Sequence, residues 1–183
     1  MVGEVVSHRE SAIAIKVRLP PDLERFRVTN VGNAALGVPA HITLIYPFAP
    51  ADRLDARVRV AVAAALSGHP TFEFALSAAQ RWPGVLYLPV TPVEPFEAIV
   101  RSLVAAFPDH LPSAGEFPYI PHVTIAEGEH RVLARLRAPS KPAPAESQLV
   151  TRVLLIAQDQ AGRWRVRWRF GLRLARPTPP GPR

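Results

Sequence analysis

Apolar residues alternate with polar ones over several short segments of the chain, a pattern that predicts β-strands. Other segments repeat their apolar positions every three to four residues, as amphipathic helices do. Prolines and glycines separate most of these segments. The order predicts strands at 11–17, 72–76, 85–90, 149–157 and 164–170, and helices at 22–30, 50–66, 95–104 and 129–137.

Two further strands, predicted at 40–46 and 121–126, share a histidine followed two residues later by a threonine. They contain His41-Ile42-Thr43-Leu44 and His122-Val123-Thr124-Ile125. Because strand side chains alternate between two faces, each histidine shares a face with its threonine. If the two strands meet, two imidazoles and two hydroxyls line one site. His69-Pro70-Thr71 has the same spacing, but Gly68 and Pro70 indicate a turn there.

The elements around the two motif strands follow one order. Each motif strand is followed by a helix and then by a hairpin, whose turn contains Gly84 or Gly162. This duplicated layout predicts an α+β fold, with two pseudo-symmetric antiparallel sheets flanked by helices in a bilobal arrangement. We expect a central cleft that carries both motifs. Residues 1–175 are expected to form this single domain, and 176–183 a disordered, proline-rich tail.

Composition narrows the classes of protein. The chain has 183 residues, of which 48% are hydrophobic, enough for a substantial core. The lack of cysteine excludes disulfides, thiolate zinc sites and cysteine nucleophiles. No apolar stretch has the length of a membrane span or the form of a signal peptide. We therefore expect a cytoplasmic monomer without membrane contact.

Charge is unevenly distributed along the chain. Residues 1–130 carry a net charge of −3 and residues 131–183 a net charge of +10. A basic region suits an anionic partner such as RNA, although a solvated surface has the same composition. In the strand at 164–170 arginines alternate with apolar residues, which predicts one basic face and one packed face.

The two histidines are candidates for general acid and general base, because imidazole titrates near neutral pH. The hydroxyls of Thr43 and Thr124 can donate hydrogen bonds to phosphate oxygens. A single strand histidine is more often structural, so the argument rests on the pair. Two histidines are too few ligands for zinc, so no metal is expected. Phe48, Tyr119 and Trp82 are candidates for stacking a base, with core packing as the alternative.

These motifs resemble those of the 2H phosphoesterase superfamily, and within it the 2′-5′ RNA ligase-like (RNA 2′,3′-cyclic phosphodiesterase) proteins. The resemblance rests on His41-Ile42-Thr43-Leu44 with Tyr46-Pro47-Phe48, and on Pro121-His122-Val123-Thr124-Ile125. It extends to the stretches 81–88 and 162–166, and spans roughly residues 11–172.

The resemblance implies cofactor-free and metal-free opening of 2′,3′-cyclic phosphates at RNA or nucleotide ends. His41 would donate a proton to the leaving oxygen and His122 would activate water. The residues alone leave these two roles open. A 2′-phosphate product is implied, and the reverse reaction would be 2′-5′ RNA ligation.

Two alternatives remain at this point. The same chemistry could act on a non-RNA substrate, such as an ADP-ribose cyclic phosphate or a cyclic dinucleotide. The chain could also be an RNA-binding module without turnover, for which the basic C-terminal third is the argument. Salt-dependent RNA binding without hydrolysis would favour the binding module.

Overall fold

The computed structural model describes residues 9–138 and 147–174, which contain nine strands and four helices. The predicted linker at 139–144 and the tail at 176–183 lie outside the described residues. The strands are β1 Ser11–Lys16, β2 His41–Ile45, β3 Phe72–Leu76, β4 Gln80–Trp82, β5 Val85–Thr91, β6 His122–Glu127, β7 Gln148–Val150, β8 Arg152–Gln158 and β9 Trp164–Gly171. The helices are α1 Pro21–Asn30, α2 Ala56–Leu66, α3 Glu94–Ala106 and α4 His130–Arg135.

The strands form two antiparallel sheets, as the sequence predicts. The first sheet has the order β2-β1-β8-β9. The second has the order β4-β5-β3-β7, and β6 also pairs with β5. Helices α1 and α3 each pack against the motif strand of the other half, α1 on β6 and α3 on β2. The α+β fold class with two antiparallel sheets and flanking helices is therefore confirmed.

Helix boundaries follow local chemistry. Helix α3 buries the apolar stripe that its sequence predicts, with Phe96 packed edge-on against Phe72 and Phe74. Helix α2 begins at residue 56 and not at Pro50, because the Asp55 carboxylate accepts a hydrogen bond from the backbone N–H of Val58 and caps the helix there. The preceding residues 51–53 form a short 3₁₀ turn.

The strand predicted at 149–157 is wrong as a single element. Two strands replace it, β7 and β8, separated at Thr151. Strand β7 pairs with β3 in the second sheet, whereas β8 pairs with β1 and β9 in the first. The apolar run continues through the break, because residues on both sides of it pack into the core. An apolar run therefore does not show where the chain passes from one sheet to the other.

The structure contains the duplicated order of elements, but each hairpin belongs to the sheet that does not contain the motif strand before it. The hairpin β4–β5, which follows the first motif strand, belongs to the second sheet. The hairpin β8–β9, which follows the second motif strand, belongs to the first sheet. The unit repeated in space is a strand, a helix and an antiparallel motif strand: β1-α1-β2 in one half and β5-α3-β6 in the other.

Strand β9 does not keep its arginines on one face, so that prediction is wrong. Val166 packs in a small cluster on one face of the first sheet, and Trp168 packs against the main core on the other. The register skips Arg167, the extra residue of a β-bulge. A bulge reverses the alternation of faces beyond it. Arg165 and Arg169 consequently lie on opposite faces.

Candidate active site

The two motif strands, β2 and β6, contact each other where the two halves of the fold meet. In both strands the histidine and threonine are half-buried, while the apolar residues between them are fully buried. His41 is the register partner of Lys16, and Thr43 that of Ala14. Residues paired across antiparallel strands share a face, so the sheet carries these four side chains on one side.

Both motif strands contain a β-bulge at the same position. In β2, Thr43 pairs with Ala14 but Ile45 already pairs with Ile13, so Leu44 is an extra residue. In β6 the register skips Ile125 in the same way. The bulge therefore falls three residues after the histidine in each strand. The pseudo-symmetry of the fold therefore extends to the pairing of individual residues in the two motif strands.

The bulges change which residues face the histidines. Beyond a bulge the alternation is reversed, so the fifth residue after each histidine turns to the histidine face. These residues are Tyr46 and Glu127. In β6, Glu127 pairs with Val85, which shares a face with Tyr87, the partner of Thr124. A strict two-residue period places Glu127 on the opposite face, and for this reason the sequence reasoning missed it.

Both imidazoles are held by the same local hydrogen bond. Nδ1 of His41 lies 2.8 Å from the carbonyl oxygen of Pro39, and Nδ1 of His122 lies 2.7 Å from that of Ile120. A carbonyl oxygen can only accept, so Nδ1 carries the proton in each ring. Nε2 is then the nitrogen left for chemistry in both histidines, as a base when the ring is neutral and as an acid when it is charged.

Burial lowers the pKa of both histidines. The pKa of His41 falls to about 4, mainly because burial disfavours the charged ring; the Pro39 carbonyl opposes this effect, and the charges of Arg27 and His122 add to it. The pKa of His122 is also lowered by burial, against the effect of the Ile120 carbonyl. The influence of His122 on His41 indicates that the two rings occupy one electrostatic site.

An arginine that the sequence reasoning did not single out anchors the first motif. Arg27 on α1 is buried, with 2% of its surface exposed. Its Nη2 donates to the carbonyl oxygens of Val38 at 2.8 Å and Pro39 at 3.0 Å. One signal was available in the sequence: Arg27 lies four residues after Leu23, on the apolar stripe of the helix.

Aromatic rings surround His122. Trp82 and Tyr87 stack with their centroids 3.9 Å apart, and His122 meets them edge-on at 4.8 and 5.4 Å. The Tyr87 hydroxyl donates to Gln80. Trp82 was a candidate from the sequence, whereas Tyr87 was not. The stack forms one wall beside the second histidine.

The other two aromatic candidates differ in position. Phe48 is 5% exposed and packs against Phe107 and His110, so it is a core residue and not a base-stacking one. Tyr119 is partly buried, and its hydroxyl donates to the backbone oxygen of Thr43 at 3.2 Å. Tyr119 therefore links the segment before the second motif to the first motif strand.

In residues 9–138 and 147–174 no three histidine, aspartate or glutamate side chains form a group that could hold a metal ion. None of the helices in that part of the chain is long and apolar enough to cross a membrane.

Solved structures with the same fold include E. coli LigT complexed with 3′-AMP, at 19% identity and a TM-score of 0.58, covering 91% of this chain and 99% of that one. E. coli LigT complexed with NADP+ is similar, at 20% identity, a TM-score of 0.59, and 91% and 98% coverage. The protein TT0787 of Thermus thermophilus gives 18% identity, a TM-score of 0.57, and 91% and 100% coverage. These matches define the class of fold.

The sequence itself defines the family. A sequence model of the 2′-5′ RNA ligase superfamily matches residues 15–162, which include both motifs. The chain belongs to the 2′-5′ RNA ligase superfamily, whose members are 2H phosphoesterases. A comparison with curated proteins gives no match.

Proposed function

We propose that this protein is a metal-independent phosphodiesterase that opens 2′,3′-cyclic phosphates at RNA or nucleotide ends, leaving a 2′-phosphate. The observation that supports this most directly is the pair of Nδ1-anchored imidazoles on adjoining strands. Each imidazole has a threonine hydroxyl on its own strand face. If a 5′-hydroxyl took the place of water as the attacking group, the same site would join a cyclic phosphate end to that hydroxyl, forming a 2′-5′ linkage and releasing the 3′-hydroxyl.

The reaction needs a base on one side of phosphorus and an acid on the other. Water attacks phosphorus in line with the bond to the ribose 3′-oxygen and gives its proton to Nε2 of His122. As the new P–O bond forms, the bond to the 3′-oxygen breaks, and Nε2 of His41 gives that oxygen a proton. The ring opens to a 2′-phosphate and a free 3′-hydroxyl. The assignment of acid and base follows the family resemblance.

The threonines are proposed to stabilise the charge that develops on the non-bridging phosphate oxygens. Neither Thr43 nor Thr124 has a hydroxyl hydrogen bond to another described residue, so both hydroxyls can turn toward a ligand. The anionic phosphate also favours a charged imidazole beside it. Substrate binding would therefore raise the low pKa of His41 and prepare it as the acid.

The pH dependence of kcat/KM is expected to be bell-shaped, with its maximum below pH 6.5. The profile reports the free enzyme, in which the pKa of each histidine lies below the ordinary 6.5. The active form carries one proton on the pair, and its population falls as the pH rises above the higher pKa or drops below the lower one. Initial rates at subsaturating substrate, taken from about pH 3.5 to about pH 9, cover the range in which the charge of imidazole changes.

A maximum at about pH 8 or above would contradict this expectation, because both rings are then neutral and no acid is available. Denaturation at low pH can imitate the acidic limb. The protein should therefore be incubated at each pH and assayed again at the optimum. Only pH values after which the activity recovers fully enter the profile.

Two surfaces support RNA or nucleotides as the substrate. Trp82, which stacks on the buried Tyr87 beside His122, is half-buried and provides an aromatic ring on which a base can stack. On the first sheet Leu154 pairs with both Ala14 and Arg169, which places Arg169 on the same face as Thr43. Lys16 and Arg152 share that face and are exposed. Three cations on the histidine face suit an anionic backbone.

The test is hydrolysis of nucleoside 2′,3′-cyclic phosphates and of an RNA oligomer with a cyclic phosphate end, both in excess EDTA. We expect turnover without metal, and phosphorus NMR of the product gives the position of the phosphate. A 3′-phosphate product would show that the 2′-oxygen, and not the 3′-oxygen, is the leaving group. No turnover of either substrate by the folded protein would overturn the proposal, and RNA binding without hydrolysis would favour a binding module.

A further inference from the structure

Arg27 is the one charged side chain that is almost fully buried among the described residues. Placing a guanidinium out of water is unfavourable unless its N–H groups find acceptors. Three acceptors surround this one: the carbonyl oxygens of Val38 and Pro39, and the Glu24 carboxylate at 3.3 Å. Two of the three belong to the segment that leads directly into the first motif strand.

The Pro39 carbonyl is shared between two donors. Arg27 Nη2 approaches it at 3.0 Å and His41 Nδ1 at 2.8 Å. The equivalent carbonyl in the second half, Ile120, receives the Nδ1 of His122 but no arginine from the described residues. The two histidines thus make the same local hydrogen bond. Among the described residues, only the carbonyl that accepts from His41 also accepts from an arginine.

We propose that Arg27 is a positioning residue for His41: it holds the Pro39 carbonyl in place, and that carbonyl fixes the Nδ1–H tautomer and the direction of Nε2. This inference rests on the proposed function only where it treats His41 as catalytic. The hydrogen-bonded chain from Arg27 through the carbonyl to the imidazole is independent of substrate.

Arg27 also places a positive charge near the imidazole of His41. The elements packed around β2 carry Lys16 on β1, Glu127 on β6 and Glu97 on α3. The charges that act on His41 are those of Arg27 and His122. Burial is the main cause of the low pKa of His41, and among the charges Arg27 contributes first. Arg27 thereby adds to the effect of burial, which keeps the free ring neutral until an anion binds.

Nitrogen-15 NMR of the histidine rings across pH tests the proposal without any substrate. In the wild type we expect both neutral rings to carry the proton on Nδ1, with His41 titrating at lower pH than His122. Arg27→Gln removes the charge but leaves the ring buried, so the His41 titration should move up while staying below its ordinary range, and the tautomers should mix. Arg27→Lys keeps the charge but not the planar guanidinium group, so the tautomers should mix while the pKa of His41 stays low.

Arg25→Gln is the matched control. Arg25 lies on the same helix, is exposed and pairs with Asp22 at the surface. Its replacement should leave both titrations unchanged. The His122 tautomer should be unaffected in all three variants, because its own Nδ1 bond does not involve Arg27.

Turnover gives a second readout. Arg27 does not reach the substrate in this proposal, so both of its variants should lower kcat while KM changes little. A displaced catalytic group can reduce the rate by about 10²-fold. A merely structural arginine would lower the melting temperature without moving the His41 titration or its tautomer.

The proposal is overturned if folded Arg27→Gln and Arg27→Lys proteins show the wild-type His41 titration and tautomer. Should both substitutions unfold the chain, the wild type decides: an Nε2–H tautomer, or a His41 titration at or above that of His122, overturns it. Wild-type spectra as expected in a protein without turnover would instead keep the role of Arg27 and reject the proposed function.

Discussion

Replacing His41 or His122 by alanine is expected to lower kcat/KM for a 2′,3′-cyclic phosphate by about 10²–10⁴-fold in each case, the usual contribution of one positioned proton transfer. Each substitution removes one of the two groups proposed as acid and base. The double variant should lose less than the product of the two single losses, because acid and base act as a unit. Steady-state rates on the purified variants measure these effects.

His69→Ala is the control that the chain itself provides. His69 has the same spacing to a threonine as the two motif histidines, but its Nε2 is bonded to the Ser102 hydroxyl at 2.9 Å and it lies outside the motif strands. We expect this variant to keep wild-type activity. Full activity in either motif variant, with circular dichroism showing an intact fold, would reject the two-histidine mechanism.

Removing a motif hydroxyl should give the second large effect. Thr43→Val and Thr124→Val keep the branched shape that suits a strand and remove only the donor. Loss of one donor to a developing oxyanion typically costs about 10²–10³-fold in kcat. We expect a decrease of that order in each variant, measured at saturating substrate so that binding and turnover are separated.

Serine at the same positions provides the matched comparison. Thr43→Ser and Thr124→Ser retain the hydroxyl and lose the methyl group, so they should recover most of the activity lost in the valine variants. If serine and valine reduce kcat equally, the methyl packing matters and the hydroxyl does not. That result would remove the threonines from the proposed phosphate site.

Much of the local structure was readable from the sequence, because burial imposes its period on each element. The apolar stripe of α3 and the alternation in β2 and β6 are direct consequences of one face meeting the core. The two histidines were singled out for the same reason: each begins an apolar strand and is followed two residues later by a threonine. Their common hydrogen bond to a carbonyl two residues earlier depends on the bend before each strand and has no sequence pattern of its own.

What the sequence could not show depends on distant parts of the chain. The bulges at Leu44, Ile125 and Arg167 reverse the faces of the residues that follow, and a regular period cannot reveal an extra residue. The aromatic neighbours of His122 come from β4 and β5, and which of these rings lies in the site depends on strand register. Phe48 shows the reverse case, since a ring close in sequence to the motif lies in the core.

Arg27 was missed for an energetic reason. Arginine is normally exposed, so a helix position occupied by one is assigned to the surface. Its burial depends on the carbonyl oxygens of the incoming strand segment, eleven and twelve residues further along, together with the Glu24 carboxylate. Such compensation is visible only after the fold brings donor and acceptors together.

The pairing of β1 with β8 has a consequence for how the chain folds. Ser11 lies opposite Ala157, so the first sheet is completed only when a very long loop closes. Closing such loops is entropically unfavourable and slows folding relative to a protein built from local contacts. During synthesis β2 and its histidine emerge early, yet β1 has to wait for β8 before the sheet that supports them is complete. Premature termination of translation between β6 and β8 would therefore release a chain that has both histidines but lacks half of the first sheet.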